Sequence, residues 1–330
     1  MLEFSMIADE RLARLERWLA TQLHGARFAL TPASEDASFR RYFRATLDDG
    51  RTFVAMDAPP EKEDCGPFVR IAHLLHHAGV HAPRVHGQDL AAGFLLLSDL
   101  GTRTYLAELN AANAGALMAD ATDALIRWQI ATRPGELPPY DEALLRRELN
   151  LFPEWYVARH RRQSLTPQQS HTLESIFALL VKSALAQPAV YVHRDYMPRN
   201  LMLSDPNPGV LDFQDAVIGP ITYDVVSLMR DAFISWDEDR VLDWSVRYWE
   251  KAKRANLPVE RDFGEFWRAL EWMGLQRHLK VLGIFARINY RDGKPKYLAD
   301  TPRFLSYART VAQRYRELAP LNGLLDEVEA

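Results

Sequence analysis

Asp195, Asn200 five residues on, and Asp212 seventeen residues after the first are the side chains in this sequence best suited to chemistry. They sit in Val192-His193-Arg194-Asp195-Tyr196-Met197-Pro198-Arg199-Asn200 and in Leu211-Asp212-Phe213-Gln214-Asp215. Short apolar runs, Ala189-Val190-Tyr191-Val192 and Val210-Leu211, lead into the two acidic sites. An apolar run that ends abruptly in charge reads as a buried strand delivering polar groups to a cleft. The residue types suit phosphoryl transfer, which asks a protein mainly to orient a hydroxyl and to neutralise phosphate charge. One carboxylate, Asp195, accepts the hydroxyl's hydrogen bond. An amide oxygen and a second carboxylate, Asn200 and Asp212, are hard ligands of the kind Mg²⁺ takes while it keeps waters and phosphate oxygens. Taken singly, each residue reads as a turn residue, an Asp capping a turn or an Asn in an Asx-turn. The three together, behind these strands, read as a phosphate-transfer site.

The elements that must position this site follow from the pattern around it. Residues 9–24 place Leu12, Leu15, Trp18, Leu19 and Leu23 on one helix face. A strand begins at Phe28, and residues 31–38 form a polar turn. Residues 41–46 and 51–56 read as a hairpin turning at Asp48-Asp49-Gly50. The polar turn lies where a phosphate-covering loop would sit, so Ser34 and Ser38 are candidate phosphate contacts, although the turn carries no glycine. A helix over 67–79 and strands at 83–86 and 94–97 complete a five-stranded sheet with one packed helix. From Tyr105 onward the pattern is mainly helical, with helices expected over 111–132, 141–160, 166–186, 223–233, 239–256, 263–288 and 302–318. The expected fold is α+β: residues 1–98 form a small mixed lobe with a five-stranded antiparallel sheet, and residues 99–330 form a larger, mainly helical lobe.

Composition bounds the rest. The chain has 330 residues, 48% hydrophobic and 25% charged, with a formal charge of −4. It is a globular chain with material for a sizeable core, and the balance argues against general nucleic-acid binding. One cysteine, Cys65, excludes an intrachain disulfide and fits a reducing compartment. No apolar run resembles a signal peptide or a membrane span, so a cytoplasmic enzyme is expected.

His193-Arg194-Asp195 with Asn200, Asp212-Phe213 and Asp224 resemble the aminoglycoside phosphotransferase and choline kinase branch of the protein-kinase-like superfamily. A narrower likeness lies in Asp36 to Arg44, Met56 to Glu61 and Arg277 to Arg287. These stretches look like the anomeric kinases of N-acetylmuramate and N-acetylglucosamine that serve cell-wall sugar recycling. The resemblance implies a two-lobed kinase fold with ATP in the cleft and Mg²⁺ as cofactor. Carried over, Asp195 is the catalytic base or hydroxyl-orienting carboxylate, and Asn200 and Asp212 are the metal ligands. Ser98 to Gly101, with Asp99 and Leu100, is the hinge that meets adenine. Asp224 braces the catalytic loop through hydrogen bonds. The implied reaction moves phosphate from ATP to an anomeric hydroxyl, giving the sugar α-1-phosphate.

Two departures stand out. The third strand, Thr52-Phe53-Val54-Ala55-Met56-Asp57, has no Lys to pair with the phosphates, which leaves Arg44 and Lys62 as candidates. Gln214 replaces the usual Gly after Asp-Phe, bringing an amide near the acceptor, with Asp215 beside it. For the acceptor, Arg277, Lys280, Arg287 and Arg291 fall on one helix face. Such a face would repel a polycationic aminoglycoside and suits a neutral or carboxylate-bearing sugar, with Arg287 and Arg291 as substrate contacts. Phe152, Trp155, Tyr156, Trp236 and Trp272 are candidates for an apolar platform under the sugar ring. The stretch from Asp212 to Asp224 leaves no room for a long activation loop, so the acceptor is a small molecule and no obligate protein partner is expected. Two other readings remain open: a kinase for an aminoglycoside or another small alcohol, and a nucleotide-binding pseudokinase scaffold.

Overall fold

The computed structural model describes residues 9–34 and 39–330; Ser38, the rest of the turn from residue 35, and the side chain of Ser34 lie outside that description. In chain order the elements are α1 (Glu10–Gln22), β1 (Phe28–Ser34), β2 (Arg41–Leu47), β3 (Thr52–Asp57), α2 (Gly66–His77), β4 (Val85–Asp89), β5 (Phe94–Ser98), α3 (Tyr105–Glu108), α4 (Ala114–Ile130) and α5 (Glu142–Leu149). A π-helical stretch (Phe152–His160), α6 (Pro167–Ala186), β6 (Ala189–Val192), a 3₁₀ turn (Pro198–Asn200), β7 (Leu201–Met202), β8 (Gly209–Val210), β9 (Val217–Pro220) and α7 (Tyr223–Met229) follow. The chain ends with α8 (Glu238–Arg254), α9 (Phe263–Asp292), a second 3₁₀ stretch (Pro295–Asp300), α10 (Thr301–Arg314) and α11 (Pro320–Glu329). Two compact units result: residues 1–103 with 202–214, and residues 104–201 with 215–330.

The first unit is built on the expected five-stranded antiparallel sheet, in the order β1-β2-β3-β5-β4. The β2–β3 hairpin closes at Gly50, whose φ of +85° is a conformation glycine adopts without steric cost. Asp9 caps α1 by accepting the Leu12 N–H at 3.0 Å. Leu15 and Leu19 of α1 then pack with Leu47, Ala55, Phe94 and Leu96 on one sheet face. Strand alternation puts Asp57 on the same face as Ala55. Asp57 is fully buried and is neutralised by Arg11, whose Nε lies 3.0 Å away, and by Arg41, also at 3.0 Å through Nε. Cys65, just ahead of α2, is buried, and burial pushes its thiol up to about 11.

The second unit is helical around α9. Asp262 caps this helix through the Glu265 N–H, and Gly293 ends it in the left-handed conformation. Residues 270–283 are buried without a break, so Arg277 and Lys280, expected on a cationic acceptor face, lie inside. At Gly283 the helix runs against the chain at Leu151: a Cβ there would come within 2.3 Å of the Leu151 carbonyl carbon and oxygen. The helix expected over 141–160 divides in two. α5 ends at Leu149, and the π-helical stretch begins at Phe152, with Pro153 in its first turn. Proline removes one backbone donor, which an uninterrupted α-helix would need. No helix among the described residues is long and apolar enough to cross a membrane.

Candidate active site

In the second unit, β6 delivers the loop that carries Asp195. Val190, Tyr191 and Val192 are buried, and β6 pairs with β9 in an antiparallel ladder from Ala189↔Pro220 to Val192↔Val217. At the end of the strand, the His193 N–H donates to Asp224 Oδ2 at 2.6 Å and the Arg194 N–H to Asp224 Oδ1 at 3.0 Å. Asp224, in the first turn of α7, thus grips the loop backbone with both carboxyl oxygens, as the bracing role expected for it requires. Burial pushes its carboxyl up to about 7, the two N–H bonds oppose that shift, and the negative charge of Asp195 adds to it. Arg194 adopts a left-handed conformation with φ of +76°, a strain that surrounding bonds must hold. The Asp195 N–H donates to His193 Nδ1 at 3.2 Å, and the buried Tyr196 hydroxyl donates to the Ala121 carbonyl at 2.8 Å.

Asn200 closes the loop. Its Nδ2 donates to the Asp195 carbonyl at 2.9 Å, which ties the two residues together and leaves Oδ1 as the amide's acceptor atom. That orientation suits a hard cation, because an amide oxygen is a ligand of the kind Mg²⁺ takes.

Behind the loop lies a buried charge cluster that no motif announces. Glu148 of α5 accepts Arg194 Nη2 at 2.5 Å and Lys280 Nζ at 2.9 Å, with the Tyr140 hydroxyl on its other oxygen. Lys280 also donates to the Tyr223 hydroxyl at 2.9 Å, next to Asp224. Burial alone would raise the Glu148 carboxyl, but the Lys280 and Arg194 charges overcome it and hold the group down at about 2. The signal for Glu148 was present in the sequence as an acid between Leu145 and Leu149 on the apolar side of α5. A charge in that position needs a buried partner.

In the first unit, β8 leads into the second acidic residue. Asp212 has φ of +61°, and Phe213 is fully buried with its ring centroid 4.7 Å from that of Phe68. The Gln214 amide donates to Asp212 Oδ1 at 3.0 Å, while its buried Oε1 accepts no hydrogen bond among the described residues. Arg40 Nη2 stands 3.7 Å from the same Asp212 oxygen. Arg44 forks onto Asp99 at 2.5 and 3.0 Å and also reaches the Gly101 carbonyl at 3.0 Å. Asp99 and Leu100 line an open cavity of about 320 Å³ with Ser98, Arg84, His81 and Ser204. Ser34 ends β1.

The cationic face of α9 holds only in part. Arg277 and Lys280 are buried: Arg277 Nη1 donates to the Arg230 carbonyl at 3.4 Å, and Lys280 belongs to the Glu148 cluster. The helix face is single, but its first half turns into the core. Arg291 is exposed and paired with Asp292 at 2.6 Å. Arg287 is half-buried with its Nε unpaired, and burial together with Arg291 lowers its pKa. Asp215 is exposed, and its carbonyl accepts from Arg194 Nη1 at 3.3 Å. Of the candidate platform, Phe152, Tyr156 and Trp272 are core residues, buried because helical aromatics fill the space around α9. Trp155 and Trp236 are half-buried.

A Pseudomonas putida protein named N-acetylmuramate/N-acetylglucosamine kinase is 55% identical over 332 residues, covering 98% of both chains. A protein of the same name from Neisseria meningitidis is 51% identical, covering 97% of this chain and 96% of its own. Among solved structures, a choline/ethanolamine kinase family protein from Mesorhizobium loti has the same fold. It superposes with a TM-score of 0.63 at 14% identity, covering 96% of this chain and 99% of that one. The family model described as "Phosphotransferase enzyme family" matches residues 29–263. That match runs from β1 through the Asp195 loop to the start of α9 and takes in Asp195, Asn200, Asp212, Gln214 and Asp215 but none of the α9 candidates beyond residue 263, and the chain belongs to the phosphotransferase enzyme family.

Proposed function

We propose that this chain is a cytoplasmic, ATP-dependent kinase that phosphorylates the anomeric hydroxyl of N-acetylmuramate, N-acetylglucosamine or both, in the recycling of cell-wall sugars. The observation that carries this reading is the 55% identity to the Pseudomonas putida kinase along 98% of both chains. The braced Asp195 loop supports the chemistry. In the reaction, the Asp195 carboxylate accepts the hydrogen bond of the sugar's anomeric hydroxyl and takes its proton as the oxygen bonds to the γ-phosphorus. The bond from that phosphorus to the β–γ bridging oxygen breaks, and ADP leaves with the electron pair. Asn200 Oδ1 and the Asp212 carboxylate would hold Mg²⁺, whose contribution when bound is to offset charge on the phosphates. The bond from Asn200 to the Asp195 carbonyl keeps the hydroxyl-orienting residue and this ligand in register. Asp99 and Leu100 of the hinge, with Ser34 and Ser38, are assigned to the nucleotide. Gln214 and Asp215 are assigned to the sugar, and the unpaired buried Gln214 Oε1 supports a hydroxyl donor there.

Arg287 is the residue assigned to the lactyl carboxylate of muramate, because its Nε has no hydrogen-bond partner among the described residues while Arg291 is already paired. Arg287→Met is expected to raise KM for N-acetylmuramate about 10- to 100-fold, the worth of a hydrogen-bonded charge, and to leave N-acetylglucosamine within about twofold. An equal loss for both sugars would remove this assignment. The function itself is tested by coupled ADP release with ATP, Mg²⁺ and each sugar, and by phosphorus NMR of the product. A chain that turns over no N-acetyl amino sugar, or that phosphorylates a position other than the anomeric one, refutes the proposal.

A further inference from the structure

We infer that Arg40 is the phosphate ligand that takes over the work of the Lys missing from β3. The inference rests on the reading of the chain as an ATP-dependent kinase with Asp212 on the metal. β3 itself holds no cation on either face. Phe53, Ala55 and Asp57 alternate toward α1, with Asp57 held by Arg11 and Arg41, and the opposite face presents Val54 and Met56.

Neither cation expected from the sequence takes the place. Arg44 lies across from Val54 in the β2–β3 ladder, on the face away from α1. Its fork is spent on Asp99, whose side chain is 5% exposed, and on the Gly101 carbonyl. Turning Arg44 toward a phosphate would take the guanidinium from that carboxylate and leave it the Gly101 N–H at 2.9 Å, so the geometry of Arg44 suits holding the hinge. Lys62 stands 5.5 Å over the ring of Phe39.

Arg40 is placed differently. It immediately precedes β2, its side chain is 10% exposed, and its Nη2 is 3.7 Å from Asp212 Oδ1. If Asp212 holds the cation that offsets phosphate charge, the phosphate oxygens would come close to its carboxylate. A guanidinium already at that carboxylate meets them without a large movement, and its planar fork takes phosphate oxygens two at a time. The Gln214 amide holds Asp212 Oδ1 from the other side, so the carboxylate keeps one hydrogen bond when Arg40 turns to the nucleotide.

The test is calorimetric binding to the full chain with no sugar present, using MgATP and adenosine as probes and Arg40→Met, Arg40→Lys and Arg44→Met as variants. Arg40→Met is expected to weaken MgATP about 10- to 100-fold while adenosine, measured by competition, stays within about twofold; Arg40→Lys recovers part of the loss. MgATP binding unchanged in Arg40→Met overturns the inference, as does a loss shared equally by adenosine, which would mark a role in folding the unit. A selective loss of MgATP in Arg44→Met but not in Arg40→Met gives the place to Arg44 and also overturns it. Because no sugar is present, failure of the amino-sugar assignment leaves this result standing, whereas a wild-type chain that binds no MgATP overturns both.

Discussion

Asp195→Asn is expected to leave a folded chain that binds MgATP as the wild type does and turns over about 10²- to 10⁴-fold more slowly, the usual loss when a positioned base is removed. The substitution is nearly isosteric. The backbone bonds of the loop, from His193 and Arg194 to Asp224 and from Asn200 to the Asp195 carbonyl, do not involve the replaced carboxylate. An amide in its place still accepts a hydrogen bond from a hydroxyl but no longer takes the proton. Steady-state kcat with saturating ATP and sugar measures the effect, and nucleotide affinity serves as the control. Residual turnover within about tenfold of wild type would mean that the proton goes elsewhere, and Asp195 would be demoted to an orienting residue.

The second large effect is on stability. Glu148→Ala strands Lys280 and Arg194, two cations facing one another in a buried site, and leaves the Tyr140 hydroxyl without its acceptor. Breaking a buried pair from one side costs about 3–5 kcal/mol, against a total of roughly 5–15 kcal/mol for a protein. The urea midpoint is expected to fall accordingly, and a loss below about 1 kcal/mol would show that water reaches the cluster. Lys280→Met added to Glu148→Ala should return part of the loss, because it removes one of the stranded charges.

The same group predicts a pH dependence. Its carboxyl is held at about 2 in the folded chain against an ordinary 4.5. The folded state therefore binds fewer protons than the unfolded one in that window, and stability falls as pH drops from about 4.5 toward 2. Above 4.5 the contribution is fully present. In Glu148→Ala this part of the acid limb should flatten, and an unchanged slope would place the titrating group elsewhere.

What could be read from the sequence had local causes. Helices with an apolar stripe and a capping residue, such as α1 behind Asp9 and α6 behind Thr166 and Pro167, announce both their existence and their ends. The hairpin at Gly50 and the strand running into His193 are equally local. The spacing of Asp195 and Asn200 was legible because one short loop fixes it, whereas Asp224 came with the family resemblance and its grip on the loop with the structure. What was not legible is long-range pairing. Glu148 meets Lys280 across 132 positions and Arg194 across 46, and neither distance leaves a pattern in the chain. The charge count on α9 misled for the same reason. Arg277 and Lys280 look solvated until the acid that neutralises one of them, and the helices that cover both, are in place. Arg40 sits just ahead of β2, and its approach to Asp212 across 172 positions leaves no pattern in the chain either.

The uninterrupted burial of α9 sets a limit on how this enzyme can be re-engineered for other acceptors. Residues 270–283 are locked in place, with Gly283 allowing no side chain and Lys280 tied to the Asp195 loop through Glu148. Changes there would cost folding before they altered selectivity. From Arg287 onward the helix emerges, and Arg287, Tyr290 and Arg291 are progressively open to solvent. A library aimed at new sugars therefore belongs on the last two turns of α9. Variants recovered there should keep the melting temperature of the parent, while any that arise earlier in the helix should need compensating substitutions.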